Sequence, residues 1–166
     1  MPCDSRVGRL TLAIVVALAA VGVGAAGAQP VRTSPSSLPP TGGRYTHIVT
    51  SELPPGSRLV MISGQVGADS TGRIVSPDAK EQMRVAYDNL ERALLAAGAT
   101  WDDVLKTTTV LTSAADVAVL REFRAARFAN RTVPANTLLV VQALYDPAVR
   151  FEVEAMAVVT GPRRTP

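Results

Sequence analysis

Two glutamates, Glu152 and Glu154, stand in the middle of an otherwise apolar run, "FEVEAMAVV". If that run is a strand, its side chains alternate with period two. Arg150, Glu152, Glu154 and Met156 then share one face, and Phe151, Val153, Ala155 and Ala157 the other. A carboxylate held on such a face can position water as a general base. The same pair can equally be solvated or matched by arginines, and periodicity leaves both readings open.

Upstream, "RTVPANTLLVVQAL" places a lone amide, Asn136, at the head of a second apolar run. His47 is the single histidine. It can act as an acid or base near neutral pH, but no second histidine and no acidic cluster accompany it. A metal site has nothing to be built from, and His47 is expected at the surface or in a subunit contact. The glycine-rich stretch from Gly64 to Gly72 lacks the Lys-Ser/Thr ending of a phosphate loop and does not run straight into a helix, which excludes nucleotide binding there.

Charge narrows the classes further. The chain has 17 Lys+Arg against 14 Asp+Glu, a net +3 without a basic run, and 4% aromatic residues. Neither an electrostatic footprint for a polyanion nor a stacking platform for bases can be assembled, so no nucleic-acid partner is expected.

Arg6 and Arg9 precede an apolar run, Leu10 to Val23, that leads to Ala26-Gly27-Ala28. This pattern predicts a secretory leader over residues 1–28, an exported protein (periplasmic or secreted), and no stable membrane insertion after cleavage. The lone cysteine, Cys3, leaves with the leader, so the mature chain has no disulfide and no thiolate chemistry. Without Arg6, Arg9 and Asp4 there remain 15 basic and 13 acidic residues, a net charge of +2. Residues 29–43, rich in Pro, Ser, Thr and Gly, are expected to form a flexible linker. Residues 44–161 suit one domain and 162–166 a tail.

Within the domain, Tyr45–Ser51 and Arg58–Ser63 are expected to pair as a hairpin across Pro54-Pro55-Gly56. Ser76-Pro77-Asp78 offers an N-cap, a first-turn proline and an early acid. Met83, Ala86, Leu90, Leu94 and Ala97 then recur at helical spacing until Gly98. A strand follows over Val104–Thr112. Ser113 to Asp116 resembles a capping box opening a second helix through Val117, Leu120, Phe123 or Arg124, and Arg127 or Phe128. Runs from Asn136 to Leu144 and from Val149 to Val159 complete the order β-β-α-β-α-β-β. Two helices cannot cover both faces of such a sheet, so an uncovered face is expected to bury itself against other copies. Trp101 is expected to pack the turn against the first helix.

"MISGQVG", "AYDNLERALLAAGATWDDVLKTTTVLT", the Pro134-Ala135 step and "FEVEAMAVV" together resemble the RidA (YjgF-type) family of reactive-intermediate deaminases, over nearly all of Tyr45 to Val159. The resemblance implies an α+β, chorismate-mutase-like sandwich with two helices on one face of the sheet. It implies a homotrimer with ligand clefts between subunits, and hydrolysis of enamines and imines to keto acids and ammonia with no cofactor. It also implies that Glu152 holds the attacking water and that Tyr45, Ser63 and Gly64 line the site.

In that family an arginine directly after the Pro-Ala step clamps the substrate carboxylate. Asn136 occupies the position here, and Leu138 stands where many members place a cysteine. An amide offers two neutral donors in place of a charged fork. The exchange predicts anchoring at least about tenfold weaker unless another cation substitutes. Arg44, Arg121 and Arg131 are the candidates; Arg131 precedes Pro134 closely enough for a loop movement to bring it to Asn136, its plain rival being solvation. Two functions follow from these residues: hydrolysis of an imine-like small molecule, or a non-catalytic trimer that binds a metabolite or acts as a holdase.

Overall fold

The computed structural model describes residues 29–160 of the chain. The leader expected over residues 1–28 and the tail 162–166 lie outside the described residues.

Four strands make the main sheet. They are β3 (Arg58–Val66), β4 (Val104–Leu111), β5 (Ala135–Val140) and β6 (Phe151–Val159), in the order β3-β6-β4-β5. The last strand of the chain is thus central, antiparallel to both β3 and β4, while β5 runs parallel to β4 as an edge. Strand alternation decides what each face presents. Phe151, Val153, Ala155 and Ala157 of β6 point under the helices and are buried. Glu152, Glu154 and Met156 point to the opposite side, away from both described helices.

The two α-helices among the described residues are α1 (Ala79–Ala96) and α2 (Val117–Arg127). Helix α1 packs on β3 and β6, and α2 lies beside it. Met83, Ala86, Leu90 and Leu94 of α1 are buried as their spacing predicts, whereas Ala97 is the half-buried C-cap, followed by Gly98 at φ 72°. Tyr87 is the hub of the core: its ring stacks on Phe151 at 5.8 Å and meets Phe123 at 5.2 Å and Trp101 at 5.8 Å. Trp101 therefore packs the turn against α1 as expected. Such aromatic pairs add to the area each ring removes from water.

Three local expectations are corrected. First, Tyr45–Ser51 and Arg58–Ser63 do not form a hairpin. The earlier segment supplies only β2 (Ile48–Thr50), which pairs antiparallel with β1 (Val31–Thr33). β1 lies inside the stretch read as flexible linker. Arg32 ties it down by donating to the carbonyls of Asp102 at 2.9 Å and Val104 at 3.0 Å, a tertiary contact that composition does not encode. Second, the cap of α1 is Asp78 rather than Ser76: its carboxylate accepts from the Glu81 N–H at 2.8 Å, while the Ser76 hydroxyl accepts from the Asp78 N–H. Third, Ser113 caps a short 3-10 turn, Ala114–Asp116, and Asp116 does not complete a box. Its buried carboxylate instead takes both contacts from the Arg150 guanidinium, at 2.8 and 2.9 Å.

Candidate functional site

A bulge in β3 prepares the first half of the site. The register against β6 shifts between Ile62 and Gln65, so Ser63 and Gly64 fall in the irregular stretch. Gly64 faces the open side, and the Glu152 side chain lies directly over it: a Cβ on Gly64 would stand 1.8 Å from Oε1 of Glu152. Only glycine admits that approach. Gly64 and Glu152 thus come together on the open face, with the exposed Ser63 next to them in the chain. No lysine or arginine among the described residues forms an ion pair with Glu152 or Glu154. Pairing with arginines, one of the two plain readings of this carboxylate pair, is therefore absent among the described residues.

The second half lies on the other side of the sheet. Asn136 is in register with Thr107, and Thr107 with Ala155, so its side chain points toward the helices. Its Oδ1 accepts from the Thr107 hydroxyl at 2.8 Å, and its amide meets the Thr109 hydroxyl at 3.3 Å. Asn136 is thereby built into a buried threonine ladder on β4. Glu152, in register with Val110, is of opposite parity. Within one chain the sheet separates Glu152 from Asn136.

A cavity of about 380 Å³ opens between α2 and β5, lined by Arg44, Tyr45, Leu120, Arg121, Arg124, Asn136 and Leu138. The segment before β2 is positioned there by Thr46, whose N–H donates to the Pro134 carbonyl at 3.2 Å and whose hydroxyl donates to that of Val133 at 2.7 Å. Those bonds fasten Arg44 and Tyr45 next to the strand that carries Asn136. His47, further along, holds the Pro39 carbonyl at 2.9 Å and meets the Tyr45 ring edge-on.

Arg44, Tyr45, Arg121, Asn136 and Leu138 are therefore gathered in one place. Arg131 is not among them. It pairs with Glu91 of α1 at 3.0 Å, alongside Arg127, which holds Glu91 at 2.6 Å and Asp88 at 3.0 Å. An acidic partner on a neighbouring helix, invisible from loop position alone, takes Arg131 out of the site. A larger hollow, about 680 Å³ between the Gln65–Val75 loop and α1, is lined by Arg84, Asp88 and Arg92 among others. Arg84 is already paired there with Glu81 and Asp88. That hollow contains neither Asn136 nor the glutamates.

Sequence reading misses three contributors. Thr107 and Thr109 hold Asn136, and their signal was the threonine alternation in "KTTTVL". Arg124 reaches the cavity from α2. A charged residue four positions after Leu120 and four before Phe128, on the stripe that is otherwise buried, was its signal.

Comparison with known proteins bears on this geometry. The family model described as Endoribonuclease L-PSP matches residues 36–159. The chain is 34% identical to the 2-iminobutanoate/2-iminopropanoate deaminase of Rattus norvegicus over 133 residues, covering 80% of this chain and 91% of that protein. It is 36% identical to the protein of the same description in Homo sapiens over 109 residues, covering 65% and 77%. Among solved structures, the conserved Rid-family protein YyfB of Yersinia pestis superposes with a TM-score of 0.72 at 28% identity, covering 80% of this chain and all of the other. Escherichia coli TdcF with bound serine superposes with a TM-score of 0.58 at 28% identity, covering 71% and 95%.

Proposed function

The chain belongs to the RidA (YjgF-type) family, the family of the matched endoribonuclease L-PSP model, and from that premise we propose that it hydrolyses a reactive imine or enamine of a small acid in clefts between copies of itself. The observation that carries this reading is the Glu152 carboxylate lying over Gly64 without an ion-pair partner among the described residues, in a chain similar along most of its length to imine deaminases. A carboxylate in that state accepts a proton from water as water adds to the C=N carbon. The C–N bond then breaks, and ammonia leaves with a keto acid as the other product. Every atom in that balance comes from the imine and one water.

Self-association is part of the proposal, because the sheet keeps Glu152 and Asn136 apart within one chain and a cleft between neighbouring copies of a trimer would bring them together. The apolar side chains left on that face, Leu59, Met61, Leu139 and Met156, support it. So does the family's trimeric assembly, and light scattering giving three times the chain mass is the expected result. Export is likewise part of the proposal. It is supported by the leader pattern before Gln29, and mature protein recovered outside the cytoplasm with Gln29 as its first residue is the outcome that checks it.

The decisive experiment is ammonia release from freshly generated 2-iminopropanoate and 2-iminobutanoate. The unaltered protein accelerates hydrolysis, and Glu152→Gln lowers the rate by on the order of a hundredfold or more. An inert protein overturns the deaminase reading. The alternative is then the non-catalytic binder, favoured by one observation: the amide of Asn136 is already engaged by Thr107 and Thr109.

A further inference from the structure

Arg124 is the one arginine among the described residues that is fully buried, at 5% exposure. Its partners are neutral. It donates to the Tyr87 hydroxyl at 2.5 Å and to the Arg44 carbonyl at 3.2 Å, and its guanidinium stands 5.0 Å from the centre of the Phe128 ring. No carboxylate among the described residues pairs with it. Arg84 and Arg127 of the helices and Arg131 after α2 hold acids instead, while Arg92 and Arg121 stand exposed.

A buried cation without a counter-charge is costly unless something compensates it. A guanidinium has five N–H groups, and the two bonds above leave donors uncommitted. Arg124 lines the 380 Å³ cavity beside Arg44 and Arg121, with no aspartate or glutamate in the lining and with Leu120 and Leu138 as its apolar wall.

We infer that this cavity is an anion site in which Arg124 supplies the charge that binds a small carboxylate with a short apolar tail. Arg44 and Arg121, both exposed, add field at the mouth, while Leu120 and Leu138 receive the tail. The positive charge that Asn136 does not carry on β5 thus reaches the same cavity from α2. The inference rests on the deaminase reading for the identity of the acid, and on the cavity alone for its charge.

Calorimetric titration of the purified full-length protein tests it, with 2-oxobutanoate as the acid, 2-butanone as its uncharged counterpart and inorganic phosphate as a tailless anion. Binding of 2-oxobutanoate that exceeds both others and weakens with salt is expected. Arg124→Gln should weaken it by about tenfold or more, since charged hydrogen bonds are at stake. Equal binding by folded Arg124→Gln, equal binding of 2-butanone, tighter binding of phosphate, or no binding of 2-oxobutanoate overturns the assignment. Should Arg124→Gln fail to fold, the Arg44→Ala/Arg121→Ala double variant decides. A loss of several-fold in affinity with a shallower salt dependence supports the site, and unchanged titrations remove it. Ammonia release is read separately. Carboxylate binding through Arg124 without turnover leaves the anion site and discards the deaminase reading. Turnover whose KM is unmoved in Arg124→Gln does the reverse.

Discussion

The two faces of the central sheet are made of the same strands and meet opposite fates. Under the helices, Phe151 is 0% exposed and Val153, Ala155 and Ala157 are buried with it, whereas on the open side Met61 is 71% and Leu59 57% exposed. The buried face is matched by residues of its own chain and gains its stability within one copy. The open face combines large apolar side chains with two carboxylates, a composition that neither water nor a simple core explains. One face makes the fold, and the other leaves Leu59, Met61 and both carboxylates without a helix over them among the described residues.

Breaking the buried face has the largest consequence. Phe151→Ala removes a ring stacked on Tyr87 and should cost about 3–5 kcal/mol of unfolding free energy, measured with denaturant. The difference between the faces is sharpened at Gly64. Gly64→Ala drives a methyl into Glu152 and should cost about 1–3 kcal/mol, and much of that loss should vanish when Glu152 is also alanine, which a double-mutant cycle measures.

Tyr87→Phe takes from Arg124 its hydroxyl acceptor inside the core, with an expected cost of about 1–3 kcal/mol. The same phenol has a pH signature. Burial pushes its pKa up, against the opposing pull of the Arg124 charge. The folded state thus keeps its proton longer than the unfolded one, so the contribution is complete below the ordinary tyrosine range and is lost as pH rises beyond it. Tyr87→Phe should flatten the alkaline limb of the stability profile.

Asp78→Ala deletes the cap of α1 and should cost about 1 kcal/mol. Met61→Lys is the counterpart on the open face, where the chain's own stability should change by no more than about 0.5 kcal/mol. If that face joins copies, the melting temperature of the unaltered protein rises with concentration and that of Met61→Lys does not.

Much of this organisation is legible in the residues. Alternation in "FEVEAMAVV" puts both glutamates on one face, and the three-and-four spacing from Met83 to Leu94 marks the buried side of α1. These are properties of neighbours in the chain, set by the period of a strand or a helix. The Gly64 and Glu152 pair entered through family resemblance, and the structure supplies its reason: a close approach that leaves no room for a Cβ.

What required the tertiary structure is every statement about which elements meet. Nothing local says that β6 inserts between β3 and β4, that β1 rather than β3 pairs with β2, or that Glu91 claims Arg131. Parity within a strand is a sequence property, but parity between strands depends on register. Register is why Asn136 and Glu152 fall on opposite sides of one sheet. By itself the sequence determined the two helices, most of the main-sheet strands and their apolar stripes, while the expectation of an arginine at position 136 came through family resemblance. The fold alone decided that the buried Arg124 of α2 lines the same cavity as Asn136 of β5, because the short loop between the two elements does not set which face of the helix turns toward the strand.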